Sequence, residues 1–206
     1  MIIEKFVAPP LGTNAYLVGC EATKEGVIID PGFQSKWPLL ALVKQYGLSI
    51  KAIYLTHSHF DHTADVFELK VLEGFPVFVH PADAENLRAP GSDGIPNMMG
   101  LKPVEPDGFF NDGDQGVIGK LHYTVIHTPG HSPGCVCFYF PDEKVLFSGD
   151  TIFKGSHGRV DLTNSSPEAM KGSLQKLKAL PEDVLVYPGH GPTTTLHDEF
   201  KRRWFK

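Results

Sequence analysis

The sequence predicts an α/β chain in which two packed β-sheets carry helices on their outer faces. Three observations lead there. Short apolar runs bounded by Gly, Pro and Asp recur in both halves of the chain. Each half also contains stretches with helical spacing. At 206 residues the chain can bury one large core, and a single domain over 1–206 is expected.

The elements follow in order. Ile2 to Val7, Ala15 to Val18 and Gly26 to Ile29 read as strands, the last ending at Asp30-Pro31-Gly32. Trp37 to Tyr46 has helical spacing, with Gly47 as its C-cap. Ile50 to Leu55 is a strand, Thr63 to Leu72 a helix ended near Gly74, and Pro76 to Val79 a strand. Residues 83 to 108 are rich in Gly and Pro and read as an irregular surface excursion, a candidate lid. Gly116 to Ile118, Leu121 to Ile126, Cys135 to Phe140 and Lys144 to Phe147 are strands. A helix runs from Ser166 to about Leu180, with Ser165 or Ser166 as N-cap, and Val184 to Tyr187 is the last strand.

Composition narrows the function. The net charge of −5 disfavours a nucleic-acid partner, because phosphate binding rewards clustered Lys and Arg. The one basic cluster, Lys201-Arg202-Arg203, reads as a solvated helix end. No apolar run is long enough to span a bilayer, so no membrane partner is expected. The start, Met1 to Val7, is too short and polar for a signal peptide. Three cysteines make a poor disulfide framework, and a cytoplasmic location is expected. Cys135 and Cys137 read as small core residues.

Ten histidines stand out, and their clustering matters more than their number. Thr56-His57-Ser58-His59-Phe60-Asp61-His62 packs four ligand-type side chains directly after an apolar strand. Residues two apart on an extended segment point the same way, so His57 and His59 can share one metal. A tight bend after them would send Asp61 and His62 to a neighbouring position. Three more candidates sit at strand ends beside Gly, where the backbone can turn sharply: His131, Asp150 and His190. Of the remaining histidines, His127 and His157 lie near these segments, either behind the ligands or facing substrate. His80, His122 and His197 read as turn, solvent-facing strand and tail residues.

Taken with Asn14-Ala15-Tyr16-Leu17, Ile29-Asp30-Pro31-Gly32, Thr128-Pro129-Gly130-His131, Ser148-Gly149-Asp150-Thr151 and Pro188-Gly189-His190-Gly191-Pro192, the sequence resembles the metallo-β-lactamase superfamily. Within it the chain is similar to the hydroxyacylglutathione hydrolase (glyoxalase II) type, and the likeness covers nearly the whole chain. The resemblance implies a four-layer αββα sandwich with two divalent metal ions at the edge between the sheets. It implies that His57, His59 and His131 bind one ion, that Asp61, His62 and His190 bind the other, and that Asp150 bridges. Zinc is the first expectation; iron and manganese also suit His and carboxylate ligands.

Two cations about 3.5–4 Å apart can hold a bridging hydroxide and polarise a carbonyl. A small-molecule thioester such as S-lactoylglutathione then suits the site. Its leaving thiol has a pKa of about 8.5 and can depart as thiolate with little help from a general acid. Asp61 and Asp150 are the expected catalytic carboxylates. Asp30 is expected to orient a metal-bound His, or else is a plain turn residue. Arg159, in Gly158-Arg159-Val160-Asp161, is expected either to contact a substrate carboxylate or to pair with Asp161. Only residues 191–206 follow His190, so the helical C-terminal domain that carries much of the glutathione site in full-length glyoxalase II is expected to be missing. The competing readings are a mononuclear-iron persulfide dioxygenase, a lactonase or other ester hydrolase, a β-lactamase, a ribonuclease relative and a non-enzymatic binding module. Gly189-His190-Gly191-Pro192 favours two metals over the dioxygenase's one.

Overall fold

The structure is a computed structural model and describes residues 1–202. Twelve strands form two six-stranded mixed sheets. The first sheet holds β1 (Ile2–Ala8), β2 (Thr13–Gly19), β3 (Glu25–Ile29), β4 (Ser49–Tyr54), β5 (Val77–Val79) and β6 (Gly108–Phe109), in sequential order. The second holds β7 (Gln115–Ile118), β8 (Leu121–His127), β9 (Val136–Phe140), β10 (Val145–Gly149), β11 (Leu185–Pro188) and β12 (Thr194–Thr195), also in sequential order. The helices are α1 (Lys36–Tyr46), α2 (Phe60–Thr63), α3 (Val66–Glu73), α4 (Ala84–Arg88), α5 (Pro167–Leu177) and α6 (Leu196–Phe200).

Strand alternation divides the core into three layers of contact, and hence the chain into four layers of structure. On β2, Tyr16 and Val18 face the second sheet, while Ala15 and Leu17 face helices α1 and α3. On β9, Val136, Phe138 and Phe140 join the central cluster, while Cys137 packs outward towards α5. On β10, Val145 and Phe147 face inward, and Leu146 meets Met170, Leu174 and Leu177 of α5. Apolar side chains on both faces of β2, β9 and β10 therefore force helices onto the outer surfaces. This is the αββα sandwich that the sequence predicts. No helix among the described residues is long and apolar enough to cross a membrane.

Three local expectations need correction. The helix expected over Thr63 to Leu72 begins only at Val66, as α3; Thr63 closes the separate turn α2, and the two are broken around Asp65. The Asp65 N–H donates to Pro31 O instead of continuing the helix, and its carboxylate accepts from Lys36 N at 2.7 Å. The helix expected to reach Leu180 ends at Leu177, in a series of tight turns before Pro181, which has no N–H to extend it. Its N-cap is Ser166, whose Oγ accepts from Ala169 N at 3.1 Å. The excursion is not irregular from residue 83 onward, because α4 occupies Ala84–Arg88. At the C-terminus, Lys201 and Arg202 are exposed at the end of α6, as the solvated helix end predicts, with Arg202 paired to Glu199 at 2.9 Å; Arg203 of the basic cluster lies outside the described residues.

Candidate metal centre

Loops at one edge of the sandwich bring the predicted side chains together. The extended segment after β4 carries His57 and His59, and α2, a single turn, then swings Asp61 and His62 alongside them. His131 arrives from the loop between β8 and β9. Asp150 directly follows β10, and His190 lies two residues beyond β11. Except for His190, these side chains are buried.

Two separate groups of donors form, and a third, Asp30, His57 and His62, draws one histidine from each. The ligand atoms of His57, His59 and His131 lie within 4.8 Å of one another, as do those of Asp61, His62 and His190. Asp150 stands between the groups. Its Oδ1 is 3.4 Å from His62 Nε2, and its Oδ2 is 3.3 Å from His131 Nε2 and 3.5 Å from His190 Nε2. His59 Nδ1 and His131 Nε2 face each other at 2.8 Å. The residue before His190 must be small: a Cβ on Gly189 would sit 2.1 Å from Asp150 Oδ1 and 2.8 Å from His62 Cε1.

The outer ring nitrogens have their own partners. His62 Nδ1 lies 3.0 Å from Asp30 Oδ2, and Asp30 also accepts from Thr56 N and Thr56 Oγ1 at 2.7 and 2.6 Å. His131 Nδ1 donates to the Arg159 carbonyl at 2.9 Å, and His57 Nδ1 lies 3.1 Å from Thr56 Oγ1. His59 Nε2 is 3.9 Å from Asp93 Oδ2. Thr13 Oγ1 donates to Asp61 Oδ2 at 2.5 Å. The contacts on His57, His62 and His131 turn their inner nitrogens towards the cluster.

The donor set fits divalent cations. His57 Nε2 and Asp150 Oδ1 are buried without a hydrogen-bond partner, and both belong to the cluster. Buried polar atoms left this way are costly unless something binds them. Burial and neighbouring imidazoles hold His57 well below the usual histidine range. Burial, then His131, brings His59 down to about 3. Both rings are therefore neutral, as metal ligation requires. In the second group burial acts the same way, but the charges of Asp61 and Asp150 outweigh it and raise His62. The hydrogen bond to Asp61 and the charge of Asp150 likewise raise His190 against burial. Asp150 is lowered despite its burial, chiefly by His62.

The cluster forms the floor of a cavity of about 560 Å³. Leu11, Phe60, Phe153 and Leu162 line its walls, with Ile95 and Met98 from the excursion. Arg159 and His157 also line it. The Arg159 guanidinium forks onto Asp161, with Nε–Oδ1 at 2.8 Å and a second bond at 2.9 Å, both groups being solvent-exposed. His127 stands apart from the cavity, stacked on His80 with ring centroids 4.0 Å apart.

A family model for the metallo-β-lactamase superfamily matches residues 8–190. The chain belongs to the metallo-β-lactamase superfamily. Among its relatives, the probable metallo-hydrolase YqgX of Bacillus subtilis is 35% identical over 92% of this chain and 90% of that protein. The hydroxyacylglutathione hydrolase of Rhodospirillum rubrum is 37% identical over 85% of this chain, which spans only 60% of that enzyme. Three solved structures are similar. BLEG-1, a B3 metallo-β-lactamase, has a TM-score of 0.88 and 35% identity, covering 99% of both chains. TTHA1623, in a di-iron-bound form, has a TM-score of 0.83 and 40% identity over 96% of this chain and 97% of its own. ETHE1 from Myxococcus xanthus has a TM-score of 0.80 and 26% identity over 98% of this chain and 82% of its own. As a member of this superfamily the chain is a metal-dependent hydrolase by class.

Sequence reasoning missed Thr13, Asp83 and Asp93, which contact the ligands or their loops. A lone Thr or Asp far from the histidine run in sequence carries no local signal.

Proposed function

We propose that this chain is a dinuclear metal-dependent hydrolase of small-molecule thioesters. The observation that carries the reading is Asp150 standing between two complete donor groups, with carboxylate oxygens 3.3–3.5 Å from His131, His62 and His190. His57, His59 and His131 would hold one ion, Asp61, His62 and His190 the other, and Asp150 both. Zinc is the ion proposed; the di-iron form of TTHA1623 keeps iron in view. Bound there, the ions would acidify a water towards neutral pH and polarise the acyl carbonyl.

The chain's own residues do the rest. Asp30 and the Arg159 carbonyl hold His62 and His131 in one ring orientation. The apolar walls exclude water from the acyl arm. The carboxylates lining the cavity, among the described residues, are Asp61 and Asp150, and both belong to the cluster. With no further carboxylic acid lining the cavity among the described residues, a thiolate leaving group suits the site better than an amide nitrogen. The likeness to the R. rubrum hydroxyacylglutathione hydrolase supports the same substrate class.

The experiment is hydrolysis of S-lactoylglutathione beside other acyl thioesters, lactones and a β-lactam, with metal analysis of the same sample. Thioester turnover with two ions per chain is expected. The likeness to BLEG-1 makes β-lactam hydrolysis the second reading, and a preference for that substrate would establish it. One iron per chain with oxygen consumption would replace both with the persulfide dioxygenase.

A further inference from the structure

Asp83 lies in a tight 3-10 turn, Pro81–Asp83, just after β5, and does not belong to either donor group. It is buried, yet both of its oxygens are occupied by loops that carry the ligands. Oδ2 accepts from Ser58 N at 2.8 Å and from Ser58 Oγ at 3.1 Å. Ser58 stands between His57 and His59. The same Oδ2 accepts from Ser132 Oγ at 2.9 Å, and Oδ1 accepts from Gly134 N at 2.7 Å. Ser132 directly follows His131.

These loops come from different sheets, and His59 and His131 are 72 residues apart in sequence. The backbone contributes one bond between the strands behind them, Val136 N to Thr56 O at 2.8 Å. Asp83 adds four across the gap, and charge-assisted bonds of this kind are the stronger ones. The sequence makes room for it: a Cβ on Gly134 would sit 2.5 Å from Asp83 Oδ1. Asn86, three residues on, binds Ser58 O at 2.9 Å from the same side.

We propose that Asp83 is the positioning residue of the His57–His59–His131 group. Its carboxylate locks the segment around Ser58 to the loop from His131 to Gly134 and so fixes the spacing of His59 and His131. The inference rests on the reading of this group as one of two metal positions.

The test titrates metal-free protein with Zn²⁺ against a chromophoric chelator, and with Co²⁺ while following its visible absorption. Wild type is compared with D83A, D83N, S132A and G134A, and metal-free thermal unfolding is recorded for each. Wild type should bind two ions. D83A should weaken one of them by about 10–100-fold and change the Co²⁺ spectrum, with the other ion shifted by less than about threefold. S132A and G134A should shift the same ion in the same direction, and D83N, which keeps one carbonyl oxygen, should fall between. Should D83A not fold, S132A and G134A decide alone. Unchanged affinities and spectra in the variants would overturn the positioning role while leaving the two-metal reading intact. Equal weakening at both positions, in step with lost thermal stability, would also overturn it. A wild type that binds no ion would overturn both.

Discussion

Asp30 reaches across thirty-two positions of sequence to place Oδ2 3.0 Å from His62 Nδ1. It does so from the left-handed region, with φ of 49°, a conformation that Asp and Asn tolerate better than most residues. The contact fixes the ring of one ligand of the second group.

Replacing Asp30 therefore acts on stability and on metal together. Asp30→Ala strands the buried Thr56 N–H and strains the backbone, at a cost of about 1–3 kcal/mol in thermal or denaturant unfolding. It should also weaken the ion held by His62 by about 10–100-fold. Asp30→Asn, which suits the backbone and keeps one oxygen, should lose less of both. Equal metal affinity in wild type and Asp30→Ala would remove Asp30 from the site's support.

Asp150→Ala should bring turnover to background and reduce bound metal from two ions per chain to one or none. Activity and metal content are to be measured on one preparation. Retained turnover would sink the bridging role.

Arg159→Ala should chiefly raise KM for thioesters that bear a carboxylate, with kcat little changed. The Asp161 pair is exposed on both sides, so exchanging that partner for a substrate costs little. An equal rise in KM for neutral thioesters would reject the clamp.

The two groups should part company with pH. His57 and His59 stay neutral far below 6.5, so protons do not compete for these two ligands there. His62 and His190 are raised above 6.5, so an ion must displace protons at the second. As pH falls, affinity at the second position drops first, beginning above 6.5. Equilibrium dialysis from about pH 8 to about pH 5 should show two ions per chain, then one, and calorimetry should show protons released with the second ion. Loss of both ions in one step would contradict this.

How much was legible follows from the range of the interactions. His57, His59, Asp61 and His62 announced themselves because four ligand types fall within six residues after a strand. His131, Asp150 and His190 were visible as Gly-flanked strand ends, and gained meaning through the family resemblance. The sandwich was legible because short apolar strands and helical stretches recur in both halves of the chain. The break at Asp65 was not, since it depends on Pro31 O from a distant loop. Asp83 was hidden for the same reason: its partners are 25, 49 and 51 residues away.

The seam between the sheets has a mechanical consequence. Asn14 on β2 bonds the carbonyls of Pro188 and Gly191 at 2.9 Å each, and Tyr16 OH bonds Pro188 O at 2.6 Å. Strand β2 of the first sheet is thus stitched to the end of β11 in the second, beside His190. Any motion that pries the halves apart pulls the donors apart with them. A cation seated there would work as a rivet, making gaping rarer by the free energy of its own binding.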